Sequence, residues 1–323
     1  MDQPNPQQRH DDPELAAVLA SARLPSQVPP TPRVALGVRL RTSPRVRGAI
    51  PGALAVRLTA ARARSTWKRH PDERERSLAA MRTLLGDTPL AERIEPLARE
   101  HFVERRVMET MFWRPWSDAR MDERSLRRMR GVLDGGRGVL ISSCHQGPFF
   151  SQLAPVCKLG AKPHVSIGPW FFEPPSPDAW GRRQARWWRG LRDRDEYYIP
   201  AEGSYEALRT ILRNGRVAML HFDMPGSRET DFLGKRIALA SGSARLSHEA
   251  DALIVPIRTR RDGHRTWLDV AEALDPRGHK DDEALHAALA RAHEAWLLEH
   301  PAGVEDPNRA GSWGAHAAGV PAG

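Results

Sequence analysis

The chain has 323 residues, 40% hydrophobic and 28% charged, which is enough for one large or two small domains around a substantial core. Its net charge of +9, from 49 basic against 40 acidic residues, favours an anionic partner: nucleic acid, an acidic membrane surface, or a phosphorylated or CoA-like ligand. Absence of zinc-finger spacing and of a basic run interleaved with stacking aromatics argues against nucleic acid, and no run of about 18 uncharged apolar residues offers a plain transmembrane helix.

In chain order, residues 1–33 are rich in Pro, Gln and Asp and read as a flexible tail. Met1–His10 contains no apolar stretch of the kind a signal peptide needs, and two cysteines, Cys144 and Cys157, make no disulfide framework. A reducing cytoplasm is therefore the expected location. Val34–Ala63 mixes apolar residues with Arg39, Arg41, Arg45, Arg47, Arg57 and Arg62. That pattern is too charged to span a bilayer but suits a segment lying on an anionic one, and equally a helix packed on the protein's own core. Pro71–Phe112 carries apolar residues at helical spacing, and Gly86-Asp87-Thr88-Pro89 divides it into two helices. Met121–Leu133 is a third helix, ended by Gly135-Gly136. Residues 34–134 thus form a helical N-terminal region.

Beyond Gly135 the pattern changes. Short apolar runs at Gly138–Ser143, His164–Ile167, Tyr197–Ile199, Arg216–Phe222, Leu253–Arg258 and Thr266–Val270 read as strands. Helices over Gln152–Leu159, Tyr205–Arg213, Ser243–Ala250 and Asp281–Leu298 alternate with them. Such alternation predicts an α/β fold over residues 135–300, a largely parallel sheet flanked by helices. Residues 301–323, mostly Pro, Gly and Ala, read as a second tail.

Several residues stand where this fold places its chemistry. The first strand runs into Ser142-Ser143-Cys144-His145-Gln146-Gly147-Pro148, so His145 leaves the carboxyl end of a sheet strand just ahead of a helix. An imidazole there can take a proton from an attacking hydroxyl, Gly147 permits close backbone approach, and free amides at the next helix start can hold an anion or oxyanion. Cys144 next to His145 is a poor dyad, because neighbours at a strand end point to opposite sides. His221-Phe222-Asp223 offers two metal ligands with no third at suitable spacing, which argues against zinc, and no metal or organic cofactor is expected. Arg182, Arg183, Arg186 and Arg189 surround Trp187-Trp188, a set able to bind phosphate or simply to form a solvated basic helix face. Ser241-Gly242-Ser243 opens a helix and suits N-capping first and anion binding second.

The order of these pieces resembles the lysophospholipid acyltransferase superfamily, in particular lipid A (lauroyl/myristoyl) and phosphatidylinositol mannoside acyltransferases. The resemblance spans Gly136 to Pro256 and rests on Gly136-Arg137-Gly138-Val139-Leu140-Ile141, His145-Gln146-Gly147-Pro148-Phe149-Phe150, Leu212-Arg213-Asn214-Gly215-Arg216-Val217 through Asp223, Phe232-Leu233-Gly234-Lys235, Ala240-Ser241-Gly242-Ser243-Ala244-Arg245-Leu246 and Ala252-Leu253-Ile254-Val255-Pro256. It implies a glycerolipid acyltransferase-like fold and transfer of an acyl group from acyl-CoA or acyl carrier protein to a hydroxyl or amine of a lipid, glycolipid or specialised metabolite. His145 would be general base, and Gly147, Arg182, Arg183, Arg186, Glu173, Ser241 and Gly242 would line the substrate site. The enzyme would be cytoplasmic and peripheral to the membrane's inner face.

One departure is conspicuous. The family motif places Asp or Glu five residues after the His, to orient the imidazole and stabilise its protonated form; position 150 here is Phe. Either His145 acts without a carboxylate, or Asp223 or Glu173 supplies it. The remaining alternative is an altered or inactive acyl- or lipid-binding protein on the same fold.

Overall fold

A computed structural model of the chain describes residues 13–21, 33–41, 43, 45–46, 49–111, 119–168, 178, 181–182, 185 and 197–312. The helical region contains α1 (Pro13–Ser21), α2 (Leu36–Arg41), α3 (Gly52–Arg69), α4 (Pro71–Leu85) and α5 (Ile94–Met111). Pro71 occupies the first turn of α4, where its missing N–H costs nothing, with Asp72 and Glu73 beside it on the positive end of the helix. On α3, Ala60, Ala63 and Trp67 recur at helical spacing and are buried, with the Trp67 ring 5.5 Å from that of Phe102 on α5. Leu54 and Leu58 fall on the opposite side of α3 and are exposed.

The α/β part follows: β1 (Ala119–Met121), α6 (Glu123–Asp134), β2 (Val139–Ser143), α7 (Ala154–Cys157), β3 (His164–Ile167), β4 (Tyr197–Pro200), α8 (Ser204–Arg213), β5 (Val217–His221), β6 (Pro225–Phe232), β7 (Lys235–Leu239), α9 (Gly242–Ala250), β8 (Leu253–Asp262), β9 (Arg265–Val270), α10 (Asp282–Glu299) and α11 (Arg309–Ser312). Seven strands form one sheet in the order β1-β9-β8-β2-β5-β3-β4, and every neighbouring pair is parallel except β8 with β9. The expected α/β class with a mainly parallel sheet is what the chain adopts. β2 lies inside, between β8 and β5, and all five of its residues are buried.

Alternation along the central strands builds two cores. Leu140, Ala218 and Ile254 face one side with Phe222, Leu285 and Leu289, while Val139, Ile141, Met219, Val255 and Ile257 face the other with Met129 and Leu268. Both sides are covered, so these strands read as continuous apolar runs. A two-stranded ribbon, β6 with β7, stands outside the sheet; its turn is Leu233-Gly234, both at positive φ. Leu233 is held there by its N–H, which donates to Glu294 on α10 at 2.6 Å.

Both segments read as tails from composition contain packed parts. Leu15 of α1 is in the main core, and Glu14 accepts from the Thr210 hydroxyl at 2.9 Å. Residues 301–312 fold back on the loop after β2: the Val304 carbonyl meets His101 Nε2 at 3.0 Å, and Gln146 pairs with Val304 in an antiparallel bridge. In residues 301–312 composition missed the packing because these anchors are backbone groups, which any residue supplies.

Histidines are unusually numerous in the interior. His101, His286 and His293 are all buried, and burial above all draws each pKa down to about 4; for His101 the nearby Arg105 adds to the effect. Among the described residues neither ring nitrogen of His286 has a hydrogen-bond partner. These groups are neutral when folded but titrate near 6.5 when the chain unfolds. Their contribution is therefore complete above about pH 6.5 and is lost as pH falls from there towards 4, by about 1.4 kcal/mol per pH unit for each proton taken up. Urea unfolding at stepped pH should show a midpoint that declines through this window, and His286→Met should flatten the decline and raise stability at pH 5 by about 1 kcal/mol or more. A pH-independent midpoint between 6.5 and 4 would contradict the buried neutral rings.

Candidate functional site

The site follows from sheet register. β2 and β5 are parallel neighbours with Ser143 directly beside His221, and the Phe222 N–H donates to the Ser143 carbonyl at 2.7 Å. Two residues further along each chain come His145 and Asp223, so the two side chains leave adjacent strand ends at the same level. Asp223 Oδ1 lies 2.8 Å from His145 Nδ1, and Asp223 Oδ2 accepts the His145 backbone N–H at 3.1 Å. One carboxylate thus fixes both the ring and the main chain of the same histidine. Of the two acids considered in place of Phe150, Asp223 is the one placed on His145; Glu173 lies outside the described residues.

His221 stacks on His145, with ring centroids 3.9 Å apart and planes 23° apart, and its Nδ1 meets Ser143 Oγ at 3.0 Å. Phe149 closes the His145 ring from the side, edge-on at 5.1 Å. Burial, reinforced by the adjacent His145 ring, holds His221 well below the usual imidazole range, so it remains a neutral platform. For Asp223, burial opposes ionisation, yet His145, the hydrogen bond to it, Arg309 and His221 outweigh burial and hold the carboxyl well below the usual range. His145 and Asp223 are 14% and 7% exposed, so the charge sits where water screens it little.

Chemically, the pair can support proton transfer. With its proton on Nδ1 facing Asp223, the ring keeps a lone pair on Nε2, and the carboxylate favours the imidazolium that forms when Nε2 accepts a proton. No family model and no curated protein matches the chain. Among solved structures it is similar to the 1-acyl-sn-glycerophosphate (LPA) acyltransferase PlsC from Thermotoga maritima, at 13% identity and a TM-score of 0.36, over 76% of this chain and 96% of that one.

Other expected residues fare differently. Gly147 does allow a close approach, but of this chain's own backbone: at φ +65°, a Cβ there would lie 2.0 Å from the Thr259 carbonyl oxygen. Its N–H donates to the Gly303 carbonyl at 2.7 Å, so that amide is engaged within the protein rather than held for an oxyanion. Nor does a long helix start there; a single 3-10 turn at Phe149–Ser151 precedes the one-turn α7. Ser241 makes no side-chain cap to α9, which Gly242 opens. The Ala240 N–H donates to the Met224 carbonyl at 3.0 Å, bringing the start of α9 beside the residue after Asp223. Arg182 is half-buried and helical, its N–H donating to the Asp178 carbonyl at 3.2 Å. Arg183, Arg186, Arg189, Glu173 and Trp187-Trp188 lie outside the described residues. Cys144 is buried in the main core, and burial, then Asp223, pushes its thiol up, so it stays protonated. Phe150 packs against the second core and against Phe149, centroids 4.0 Å apart.

The third metal donor that sequence spacing failed to supply is His145 itself: ligand atoms of His145, His221 and Asp223 lie within 4.8 Å of one another. The arrangement does not suit a cation. Nearly parallel stacked rings direct their in-plane lone pairs side by side rather than at a common point, and His145 Nδ1 already faces the carboxylate.

Sequence reasoning missed two contributors. Gln146 ties the loop down, its side-chain amide donating to the Trp296 and His300 carbonyls at 3.0 Å each. Arg309 reaches in from 164 positions away, with Nη1 2.6 Å from His145 Nδ1 and 4.0 Å from Asp223 Oδ2, and Nη2 donating to Glu305 at 2.9 Å. No local spacing signals either contact. Replacing Gly147 by Ala tests the loop's packing: the left-handed backbone and the clash with Thr259 should cost about 2 kcal/mol or more, read as a lowered melting temperature. A variant melting with the wild type would show that the loop and β8 are not in contact.

Proposed function

We propose that the protein is an acyltransferase in which His145, oriented by Asp223, is the general base. The observation that carries this reading is the 2.8 Å His145–Asp223 contact at the carboxyl ends of two adjacent parallel strands. It supplies from the neighbouring strand the carboxylate that Phe150 removes from the family motif, and it does so within the ordered set of segments that resembles that family. The donor is a thioester, acyl-CoA or acyl carrier protein, and the acceptor a hydroxyl or amine of a lipid, glycolipid or specialised metabolite.

The reaction balances with this chain's groups alone. His145 Nε2 takes the acceptor's proton as its oxygen or nitrogen attacks the thioester carbonyl, forming the new ester or amide bond through a tetrahedral intermediate. Collapse breaks the carbon–sulfur bond, and the leaving thiolate receives the proton from His145, regenerating the neutral ring. Asp223, ionised throughout, stabilises the imidazolium between the two transfers. In an assay of free thiol release with a panel of acyl-CoA and acyl carrier protein donors plus acceptors, His145→Ala should lose on the order of 10²–10⁴ in kcat/KM and Asp223→Asn a comparable factor. Thiol release indifferent to His145→Ala would sink the mechanism, and acyl ligands bound without any turnover would instead favour a binding protein.

The reading includes a membrane-bound acceptor, on a second observation. Among the described residues, the large exposed apolar side chains are Leu36, Leu40, Val46, Ile50, Leu54, Leu58 and Met224, and all but Met224 fall within 23 residues rich in arginine. No helix of the described residues is long and apolar enough to cross a membrane. An apolar strip flanked by cations fits the interface of an anionic bilayer at the cytoplasmic face. Sedimentation with phosphatidylglycerol-containing vesicles should show binding that weakens with salt, and the double change Leu54→Glu and Leu58→Glu should weaken it more than tenfold. Equal binding by the double variant would remove the membrane from the proposal.

A further inference from the structure

His145 Nδ1 has two partners with opposite demands. Asp223 Oδ1, at 2.8 Å, can only accept a hydrogen; the Arg309 guanidinium, at 2.6 Å, can only donate one. A single ring nitrogen cannot be donor to the first and acceptor from the second. Each partner therefore suits a different tautomer: Asp223 the form protonated on Nδ1, Arg309 the form protonated on Nε2. Only the first leaves a lone pair on Nε2.

We propose that Arg309 is a positioning residue that competes with Asp223 for Nδ1 of His145, so that the C-terminal segment sets how much of the ring stands in the base-competent tautomer. The proposal rests on His145 being the base.

Three features of the segment support it. First, its backbone is anchored to the same loop it acts on. The Glu305 N–H donates to the His145 carbonyl at 2.8 Å and the Gly303 carbonyl accepts from Gly147, so the approach of Arg309 is fixed by main-chain bonds at His145 and two residues beyond it. Second, the guanidinium is itself held. Nη2 pairs with Glu305 at 2.9 Å, one turn back, and Nη1 lies 3.9 Å from the Met224 sulfur. Third, the groups facing His145 balance closely. Asp223 is anionic, Arg309 cationic and partly offset by Glu305, His221 neutral beneath the ring and Cys144 a protonated thiol next in the chain. Among the described residues the fixed charges that touch the ring are Asp223 and Arg309, and the tautomer is set between those two. While Arg309 holds Nδ1, Nε2 carries the proton and cannot take another from an acceptor; as it swings away, Asp223 recovers the ring.

Long-range ¹H–¹⁵N correlation spectra of the full chain labelled in histidine, recorded above the imidazole range at about pH 8, report which ring nitrogen bears the proton, with His145→Gln assigning the signals. The wild type should show a resolvable Nε2–H population at His145. Arg309→Met should convert it to the Nδ1–H form, Arg309→Lys should restore part of the wild-type pattern, and Asp223→Asn should drive the ring to Nε2–H. A wild-type ring wholly in the Nδ1–H form, or Arg309→Met spectra identical to wild type, would overturn the proposal. Should Arg309→Met fail to fold, Asp223→Asn decides: a ring still protonated on Nδ1 overturns it. The measurement uses no turnover, so a protein without acyltransferase activity would sink the functional reading and leave this result standing, and the converse holds as well.

Discussion

The site depends on one geometric constraint, the in-register parallel pairing of β2 with β5. Because Ser143 and His221 lie side by side, the residues two places beyond them emerge together at the sheet's carboxyl edge, and a carboxylate meets an imidazole without any loop having to be shaped for it. A slip of one residue would turn every side chain of β5 to the other face and separate the pair. That slip is prevented by the two cores, which require Ala218 on one face and Met219 on the other. The apolar packing of the sheet is thus what holds the polar pair in place.

Burial then converts proximity into a committed charge state. Asp223 is ionised at the cost of desolvation, which three neighbours offset, and its second oxygen is satisfied by the His145 backbone N–H. Such a carboxylate has little freedom to rotate away, since leaving either partner strands an anion in a poorly solvated place. His221 adds a flat neutral surface below the ring, itself tied to Ser143. The ring is therefore constrained in plane by Asp223 and out of plane by the stack.

Much of this was legible in the residues. Short apolar runs mark β2, β3, β5 and β8 to within a few positions, because buried parallel strands carry their signal in every residue. His145 and Asp223 were legible as strand-end residues, and their meeting needed only the assumption that β2 and β5 are neighbours. The β6–β7 ribbon was not legible: its turn is Leu233-Gly234, with no Asn or Asp, and Leu233 takes a positive φ because Glu294 on a distant helix binds its N–H. Arg309 was hidden for the same reason. Its segment looks like a tail by composition, and its order comes from carbonyl and amide contacts with the His145 loop that no side-chain pattern records.

Phe150 is where sequence and structure explain each other. Its half-buried ring packs with Phe149 and against the cluster that includes Leu153 and Val156. The carboxylate that meets His145 stands instead in the bend just beyond β5, where it accepts the backbone N–H of the residue it orients. The position of Asp223 also decides what surrounds the imidazole. A carboxylate arriving from β5 reaches Nδ1 from the side where residues 301–312 return, and so shares that nitrogen with Arg309. Competition at Nδ1 is thus a direct geometric consequence of where the carboxylate stands.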